Sequence, residues 1–373
     1  MKTVTIWGST GVIGSKALDI AIKSGFEIVA IISNSNYSKL IEQAKMANPK
    51  YVGVADKRAY EIVKEALEST DIEVLPESEF ANLSQLKVDC CVMAISGNAG
   101  LKPTFECLGY ARRLAIATKE AIISGGKLLQ NLAKQKQTEI IPIDSEHNSI
   151  FQCLLGENSK NIKELILTAS GGPFVDLEES DLKNVTVEKA LQHPNWNMGK
   201  KNTIDSATMI NKALEIIEAA YLFDIDIKKI KPLIHTNSII HGMVRFNDGS
   251  LKALLSMPNM NIPISYAINY PDRPKVSVPD LDFESIRSLN FRKPTSWQKR
   301  NVELAYQAFD EKKVISFNTA NEIAISKFLN GRLRFNEIYK FIQDVMQKVP
   351  SENVSSVKDI LQIIEKAVSS ADV

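Results

Sequence analysis

Short apolar runs alternate with amphipathic stretches along the first 144 residues. The runs, each typical of a buried strand, cover residues 4–7, 28–32, 51–55, 88–95, 114–117 and 140–143. Stretches with helical periodicity, for example residues 15–24 and 59–67, separate most of them. Such alternation predicts an α/β fold in which helices cover both faces of a parallel sheet. We therefore predict a Rossmann-like doubly wound domain over residues 1–144.

The pattern changes after residue 144. Residues 145–270 combine an apolar run at 164–168, several loops and one strong helical pattern at 207–222, which predicts an α+β domain. Four prolines between 271 and 296 predict an extended linker. Apolar residues then recur at helical spacing up to residue 373, as at Ile338, Phe341, Ile342 and Val345. This last part is predicted to be a helical bundle.

Composition narrows the function classes. Lysine plus arginine number 45 and aspartate plus glutamate 44, so the basic excess of a general nucleic-acid binder is absent. The apolar runs are far shorter than the ~20 residues of a membrane helix, and no targeting segment precedes the first strand. The four cysteines form no C-x-x-C pair, which favours buried thiols in a reducing cytoplasm.

A glycine-rich loop follows the first predicted strand and precedes a helix. It reads Gly8-Ser9-Thr10-Gly11-Val12-Ile13-Gly14, a G-x-x-G-x-x-G spacing. Glycines allow the backbone to approach a pyrophosphate, and the helix N-terminus offers free N–H groups. The alternative is a plain glycine turn. The second strand ends in residues 33–36, Ser-Asn-Ser-Asn, without the carboxylate typical of NAD sites, which favours NADP although no arginine is nearby.

Two carboxylates follow the apolar run at 140–143. Asp144 and Glu146 would point the same way in an extended segment, and paired carboxylates repel each other unless a cation joins them. Oxygen ligands suit Mg²⁺ or Mn²⁺ better than zinc. The alternative interpretation is a solvated turn or a helix cap.

The helical pattern at 207–222 could provide a further metal ligand. Asp205 and Ser206 are N-cap residue types at its predicted start. Asn211, Glu215 and Glu218 share one face at i, i+4 and i+7, and Lys212 is adjacent. An amide, a lysine and an acid near a helix start could serve a metal and a phosphate. The alternative is a solvated amphipathic face.

Two loops complete the set of candidate segments. Residues 167–174 form a predicted strand that runs into a glycine turn with Ser170, a possible anion site, although an ordinary tight turn fits equally well. Residues 193–201 place Trp196 in a polar, basic loop, which suggests a flap that closes over a ligand, or alternatively a loop anchored in the core. For His147, His235 and His241 structural roles are expected.

Together these segments resemble the 1-deoxy-D-xylulose 5-phosphate reductoisomerase family over essentially the whole chain. The motifs that carry the resemblance are residues 8–14, Lys119-Glu120, 143–152 (IDSEHNSIFQ), 167–174, 193–199 and 205–218 (DSATMINKALEIIE). The resemblance implies conversion of this sugar phosphate to 2-C-methyl-D-erythritol 4-phosphate by a cytoplasmic homodimer that uses NADPH and Mg²⁺ or Mn²⁺. It also implies a pathway role in non-mevalonate isoprenoid synthesis.

The resemblance also assigns residue roles. The implied metal ligands are Asp144, Glu146 and Glu215, which separates Glu215 from Glu218. The implied catalytic residues are Lys119, Glu146 and His193. The implied substrate contacts are Lys119, Ser145, Glu146, Ser170, His193, Trp196, Ser206, Asn211, Lys212 and Glu215. The implied cofactor contacts are Gly8, Thr10, Gly11, Val12, Ile13, Asn36, Thr118, Glu120, Gly199 and Met260.

Some positions depart from the family pattern. Thr118 stands where an amide is usual, and Asn34-Ser35 replaces a glycine and a basic residue, which implies a weaker hold on the 2′-phosphate of NADPH. In residues 256–260, Asn259 replaces an acidic residue next to Met260. Two alternatives remain open: an oxidoreductase acting on another phosphorylated sugar, and a catalytically silent NADP-binding scaffold. A semialdehyde dehydrogenase would need a nucleophilic cysteine, for which Cys107 is a poor candidate.

Overall fold

The computed structural model describes residues 1–193 and 199–371. These residues form two compact units. The first consists of residues 1–121, 129–148 and 259–278, and the second of residues 122–128, 149–258 and 279–373 as far as they are described. The domain limits expected at residues 144, 270 and 296 stay predictions. Part of the expected flap, including Trp196, lies outside the described residues.

The elements up to residue 154 follow the predicted alternation. The strands are β1 (Thr3–Trp7), β2 (Glu27–Ser33), β3 (Tyr51–Val54), β4 (Glu73–Pro76), β5 (Val88–Met93), β6 (Ala111–Ile116) and β7 (Glu139–Pro142). The helices are α1 (Val12–Lys23), α2 (Tyr37–Ala47), α3 (Lys57–Ala66), α4 (Phe80–Ser84), α5 (Leu101–Glu106), α6 (Lys119–Gln135) and α7 (Ser145–Leu154).

The seven strands of the first unit form one parallel sheet in the order β4-β3-β2-β1-β5-β6-β7. Strands β1 and β5 are almost entirely buried because helices cover both faces of a parallel sheet. The α/β prediction is therefore confirmed. The edge strand β4 was not predicted, since its four residues, Glu-Val-Leu-Pro, give a weak apolar signal. The carboxyl ends of β1, β2, β5, β6 and β7 share one edge of the sheet, where ligands bind in such folds.

From residue 162 the elements are β8 (Ile162–Ala169), α8 (Val187–Ala190), α9 (Lys200–Ala207), α10 (Ile210–Leu222), β9 (Ile230–Ile234), β10 (Ile240–Phe246), β11 (Leu251–Leu255), α11 (Asn261–Asn269), α12 (Ser296–Asp310), α13 (Val314–Leu329), α14 (Ile338–Lys348) and α15 (Val357–Ala371). Strands β8 to β11 form a second sheet in the order β11-β10-β8-β9, in which only β8 and β9 are parallel. Of these four strands the sequence predicted only β8.

The helical pattern at 207–222 forms α10, but this helix begins at Ile210, three residues later than predicted. It is separated from α9 because Met209 adopts a left-handed backbone, with φ of 63°. The Thr208 hydroxyl donates to the Ile204 carbonyl at 3.0 Å and accepts from the Ile210 N–H at 3.3 Å, which satisfies both sides of the break. Asp205 and Ser206 therefore lie in the last turn of α9 and do not cap α10.

No helix or strand occurs between α11 and α12, where the prolines lie, and the role of residues 271–296 as a linker stays a prediction. Two further expectations are confirmed. Residues after 296 are helical, and Ile338, Ile342 and Val345 are buried. All four cysteines are buried, and burial raises the pKa of the Cys90 thiol to about 12. Within residues 1–193 and 199–371, no helix has the length and apolar character needed to cross a membrane.

Candidate active site

The glycine loop joins β1 to α1 in close contact with β2. The Gly8 and Ser9 N–H groups both donate to the Ile32 carbonyl, at 2.8 and 3.0 Å. Gly8 has φ of +79°, and a Cβ there would lie 2.5 Å from the Ala94 carbonyl oxygen. A Cβ on Gly14 would lie 2.1 Å from the Gly8 carbonyl oxygen. Only glycine fits at both positions, and the resulting turn leaves Gly11 and Val12 exposed at the start of a 12-residue helix.

The other expected cofactor contacts of the first unit lie on neighbouring elements. The Asn36 side chain caps α2 by accepting from the Lys39 N–H at 3.3 Å. Met260 directly precedes α11, where Asn261 accepts a hydrogen bond from Lys16 of α1 at 3.3 Å. Contacts among these elements hold Met260 close to the helix that begins in the glycine loop.

Thr118 and Glu120 flank Lys119 at the start of α6. Thr118 is buried, and its hydroxyl donates to the Ile95 carbonyl at 2.7 Å. The Thr118 hydroxyl thus ties the loop after β5 to the start of α6. Glu120 is buried in the first turn of the same helix.

Lys119, Asp144 and His147 form a charged cluster in the first unit. The Lys119 ammonium pairs with the Asp144 carboxylate, and the His147 Nδ1 lies 3.2 Å from its other oxygen. Burial raises the pKa of Asp144, but the Lys119 and His147 charges and hydrogen bonds outweigh it and hold that pKa well below its usual value. Asp144 is therefore ionised, although only 13% of its side chain is exposed to solvent.

Asp144 and Glu146 do not lie in an extended segment, so the predicted geometry was wrong. Helix α7 begins at Ser145, and the Glu146 N–H donates to Asp144 Oδ1 at 3.2 Å, as in the helix-cap alternative. The Ser145 hydroxyl donates to Glu146 Oε2 at 2.5 Å. The helix start brings both carboxyl groups together without an extended backbone, because residues 144 and 146 belong to its first turn.

In the second unit, α10 carries a buried polar cluster. The Asn211 amide and the Lys212 ammonium donate to the two carboxylate oxygens of Glu215. Lys212 is 2% exposed, and Glu215 and Glu218 are each 1% exposed. The alternative of a solvated helix face is therefore wrong. A lysine and a carboxylate this deeply buried are tolerated because each neutralises the other.

Ser170, His193 and Ser206 meet through a single ring nitrogen, also within the second unit. His193 Nε2 lies 3.1 Å from both the Ser170 and the Ser206 hydroxyl oxygens. The Gly172 N–H donates to Ser170 Oγ at 3.2 Å, so the glycine turn after β8 orients that serine. Burial lowers the pKa of His193 to about 4, which makes the imidazole neutral at physiological pH. The two serine hydroxyls and the neutral imidazole are uncharged hydrogen-bonding groups, which suit a ligand rich in oxygen atoms.

Sequence reasoning missed two supporting groups. His147 was expected to be structural, yet its ring contacts Asp144; its position three residues after Asp144 at a helix start was the available signal. Asp205 accepts from Lys201 at 2.9 Å and from the Asn321 amide of α13 at 2.7 Å. No local pattern links Asn321 to Asp205, because 116 residues separate them.

Gly199, an expected cofactor contact, is exposed and precedes α9.

Family models match nearly the whole chain. Residues 4–126 match the model described as 1-deoxy-D-xylulose 5-phosphate reductoisomerase, residues 140–223 match its C-terminal domain, and residues 255–369 match a DXP reductoisomerase C-terminal domain. The reductoisomerase of Caldanaerobacter subterraneus is 43% identical over 97% of this chain and 96% of its own length. That of Clostridium novyi is 40% identical over 99% and 98%.

Solved structures agree with this match. A Zymomonas mobilis reductoisomerase in complex with NADPH has a TM-score of 0.93, with 34% identity over 99% of this chain and 98% of its own. A DOX-P reductoisomerase in complex with NADPH, fosmidomycin and magnesium has a TM-score of 0.91, with 33% identity over 100% and 98%. The likeness therefore extends over both units described above.

The low pKa of His193 leads to a prediction about protonation. We expect the NMR titration of this imidazole to have its midpoint near 4, against the ordinary value of 6.5. His193→Gln identifies its signals among those of the four histidines. Since the unfolded chain binds this proton more tightly, the free energy of unfolding should fall as the pH decreases from about 6.5 towards 4, and less so in the variant. A midpoint near 6.5 would contradict the burial argument.

Proposed function

The chain belongs to the 1-deoxy-D-xylulose 5-phosphate reductoisomerase family, and we propose how its residues share the work of the reaction. The enzyme isomerises and reduces 1-deoxy-D-xylulose 5-phosphate to 2-C-methyl-D-erythritol 4-phosphate in non-mevalonate isoprenoid synthesis, using NADPH and a divalent cation. The observation that carries this conclusion is the match of family models to residues 4–126, 140–223 and 255–369.

We propose Asp144, Glu146 and Glu215 as the ligands of Mg²⁺ or Mn²⁺. Their oxygen donors are those that hard divalent cations prefer. Asp144 is held ionised by Lys119 and His147, and Glu215 already accepts positive charge from Lys212, so both carboxylates are in the state that binds a cation. A bound divalent cation supplies Lewis-acid polarisation of substrate oxygens and a template for their orientation.

For the cofactor we propose the glycine loop and its neighbours. Gly8, Gly11, Val12 and Ile13 present backbone at the start of α1, which suits the pyrophosphate. The remaining proposed contacts are Thr10, Asn36, Thr118, Glu120, Gly199 and Met260. NADPH supplies the hydride that reduces the rearranged substrate.

For the substrate we propose two groups of contacts. The phosphate is bound by Ser170, Ser206, Asn211 and Lys212. The reacting end of the substrate, or the site beside it, is lined by Lys119, Ser145, Glu146, His193 and Glu215. The neutral His193 ring shares hydrogen bonds with two serine hydroxyls, so it can orient both towards an anion. Lys119 brings positive charge to developing negative oxygens, and His193 and Glu146 complete the proposed catalytic set. Binding energy from the remote phosphate can orient the substrate and close a flap formed by residues 193–201, with Trp196 as its proposed cover.

Domain roles follow from these proposals. Residues 1–144 would bind NADPH, and residues 145–270 would provide metal, substrate and dimer contacts. Residues 271–296 would act as a linker, and residues 297–373 would form the helical domain. Support comes from the parallel sheet within residues 3–142 and from helices α12 to α15.

We propose a cytoplasmic homodimer that binds neither nucleic acid nor membrane. The near-zero net charge fits a protein that does not bind nucleic acid, and the four unpaired, buried cysteines fit a reducing cytoplasm, while the dimer is what the family resemblance implies. Sedimentation equilibrium should give twice the 41.4 kDa protomer mass, and a mass of one protomer would contradict the dimer. Cell fractionation should recover the NADPH-dependent activity in the soluble fraction.

A coupled assay tests the function as a whole. NADPH oxidation should require both 1-deoxy-D-xylulose 5-phosphate and Mg²⁺ or Mn²⁺, because the reduction follows a metal-assisted rearrangement. NADH run in parallel should be oxidised more slowly. Absence of NADPH consumption with all components present would refute the function, and faster turnover of another ketose phosphate would reassign the substrate.

Glu215→Gln tests the metal assignment. The amide keeps the shape of the side chain but removes the charge, so we expect Mn²⁺ affinity by calorimetry and kcat/KM to fall by roughly 100-fold or more. Glu218→Gln is the comparison variant, since Glu218 lies on the same helix, is buried to the same 1% and is itself a possible cation ligand by its position. It should retain Mn²⁺ binding. Equal Mn²⁺ affinity in Glu215→Gln and the parent, with circular dichroism unchanged, would rule Glu215 out as a ligand.

A further inference from the structure

The end of β2 is where this fold distinguishes the two nicotinamide cofactors. NAD-specific proteins place a carboxylate there on the ribose hydroxyl, and NADP-specific proteins place a basic residue near the 2′-phosphate. Here residues 33–36 read Ser-Asn-Ser-Asn and contain neither. The sequence of this loop alone therefore leaves the charge of a 2′-phosphate unmatched.

The structure brings two hydroxyl groups together at this point. The hydrogen bonds from Gly8 and Ser9 to the Ile32 carbonyl set the glycine loop beside the end of β2. As a result Thr10 Oγ1 lies 2.5 Å from Ser33 Oγ. Both residues belong to the first unit, and because one hydroxyl donates to the other, the proton of the accepting hydroxyl is left to donate to an anion.

A lysine from α2 reaches the same place. Lys39 is the third residue of this helix, and its backbone N–H donates to the Asn36 cap at 3.3 Å. Its side chain turns back along the helix start, and Nζ donates to the Thr10 carbonyl at 3.1 Å. Lys39 is half-buried, so the ammonium is held against the glycine loop rather than extended into solvent.

The ammonium retains donors for a ligand. A lysine has three N–H groups, and among residues 1–193 and 199–371 the Thr10 carbonyl is the acceptor found for Lys39 Nζ. Two acids belong to this part of the chain: Glu42, which is exposed and follows Lys39 by three residues in α2, and Asp56, whose backbone N–H donates to the Asn34 carbonyl at 3.3 Å. Its carboxylate turns to α3, where it accepts from the Ala59 N–H at 2.8 Å. The hydroxyl pair is thus bordered by a cation.

We propose that Lys39 determines the preference of this enzyme for NADPH over NADH, by pairing with the 2′-phosphate beside the Thr10 and Ser33 hydroxyls. The inference rests on the proposed function, because that function includes the nicotinamide cofactor. It assigns to α2 the positive charge that residues 34 and 35 lack. The phosphate adds two negative charges that only one of the two cofactors carries, so a single ammonium discriminates between them.

Two adenosine nucleotides isolate the 2′-phosphate from catalysis. Adenosine 2′,5′-bisphosphate carries it and adenosine 5′-monophosphate does not. Calorimetric titration of the full chain should show tighter binding of the bisphosphate. Lys39→Ala should weaken bisphosphate binding roughly 10- to 100-fold, as expected for loss of a charge-assisted contact, and leave monophosphate binding within about twofold. Lys39→Arg should keep most of the preference.

Lys45→Ala is the matched control, because Lys45 is exposed in the last turn of the same helix. It should leave both affinities unchanged. In turnover, Lys39→Ala should raise the KM for NADPH while the KM for NADH and both kcat values stay close to those of the parent. A change confined to the KM for NADPH indicates that Lys39 recognises the 2′-phosphate, whereas a disrupted glycine loop would change the KM for both cofactors.

Three outcomes would overturn the inference. Unchanged preference in Lys39→Ala would show that other groups recognise the 2′-phosphate. An equal loss of both nucleotides would show that the Lys39–Thr10 contact only shapes the loop. In either case the cofactor assignment of the proposed function would stand. If the parent enzyme bound both nucleotides equally well, the NADPH assignment itself would fail together with the role of Lys39.

Discussion

A carboxylate inside the protein needs a positive partner, and this constraint sets which polar side chains are buried together in this molecule. An isolated buried charge is costly, and three carboxylates with little solvent exposure are each paired with a lysine: Asp144 with Lys119, Glu215 with Lys212 and Asp205 with Lys201. The pairs do not add stability in proportion to their number, since desolvation offsets most of the attraction. Their value is that they hold negative charge ready for a divalent cation or a polar ligand.

The same constraint explains why helix starts carry so much of the chemistry. Asp144 directly precedes α7, Lys119 begins α6, and Asn211 and Lys212 lie in the first turn of α10. Free N–H groups at a helix start stabilise carboxylates and phosphates, so these residues lie where the backbone already favours anions. The glycine loop applies the same principle to the cofactor, with Gly8 and Gly14 permitting contacts that a Cβ would block.

The features that could be predicted from the sequence are those whose interacting residues lie close together in the chain. The parallel sheet, the C-terminal helices and the i, i+4 pair Asn211–Glu215 depend on local periodicity, and all were predicted. The division between α9 and α10 was missed because Met209 in a left-handed conformation has no residue signal of the kind that glycine gives. The second sheet was largely missed because its strands pair across loops, and Asn321 was missed because its partner is distant in the chain. Family resemblance assigned roles that spacing could not, such as Glu215 in place of Glu218.

The contact between Asp205 and Asn321 has a consequence for how this family can vary. Asp205 is adjacent to the proposed phosphate contact Ser206, and both partners of the 2.7 Å hydrogen bond are fully buried. A change at one position leaves a polar group of the other without its partner, at a cost of roughly 1–3 kcal/mol. Although the two positions are far apart in the chain, a substitution at one should therefore be tolerated only with a substitution at the other. An alignment of relatives should show that changes at 205 and 321 occur together.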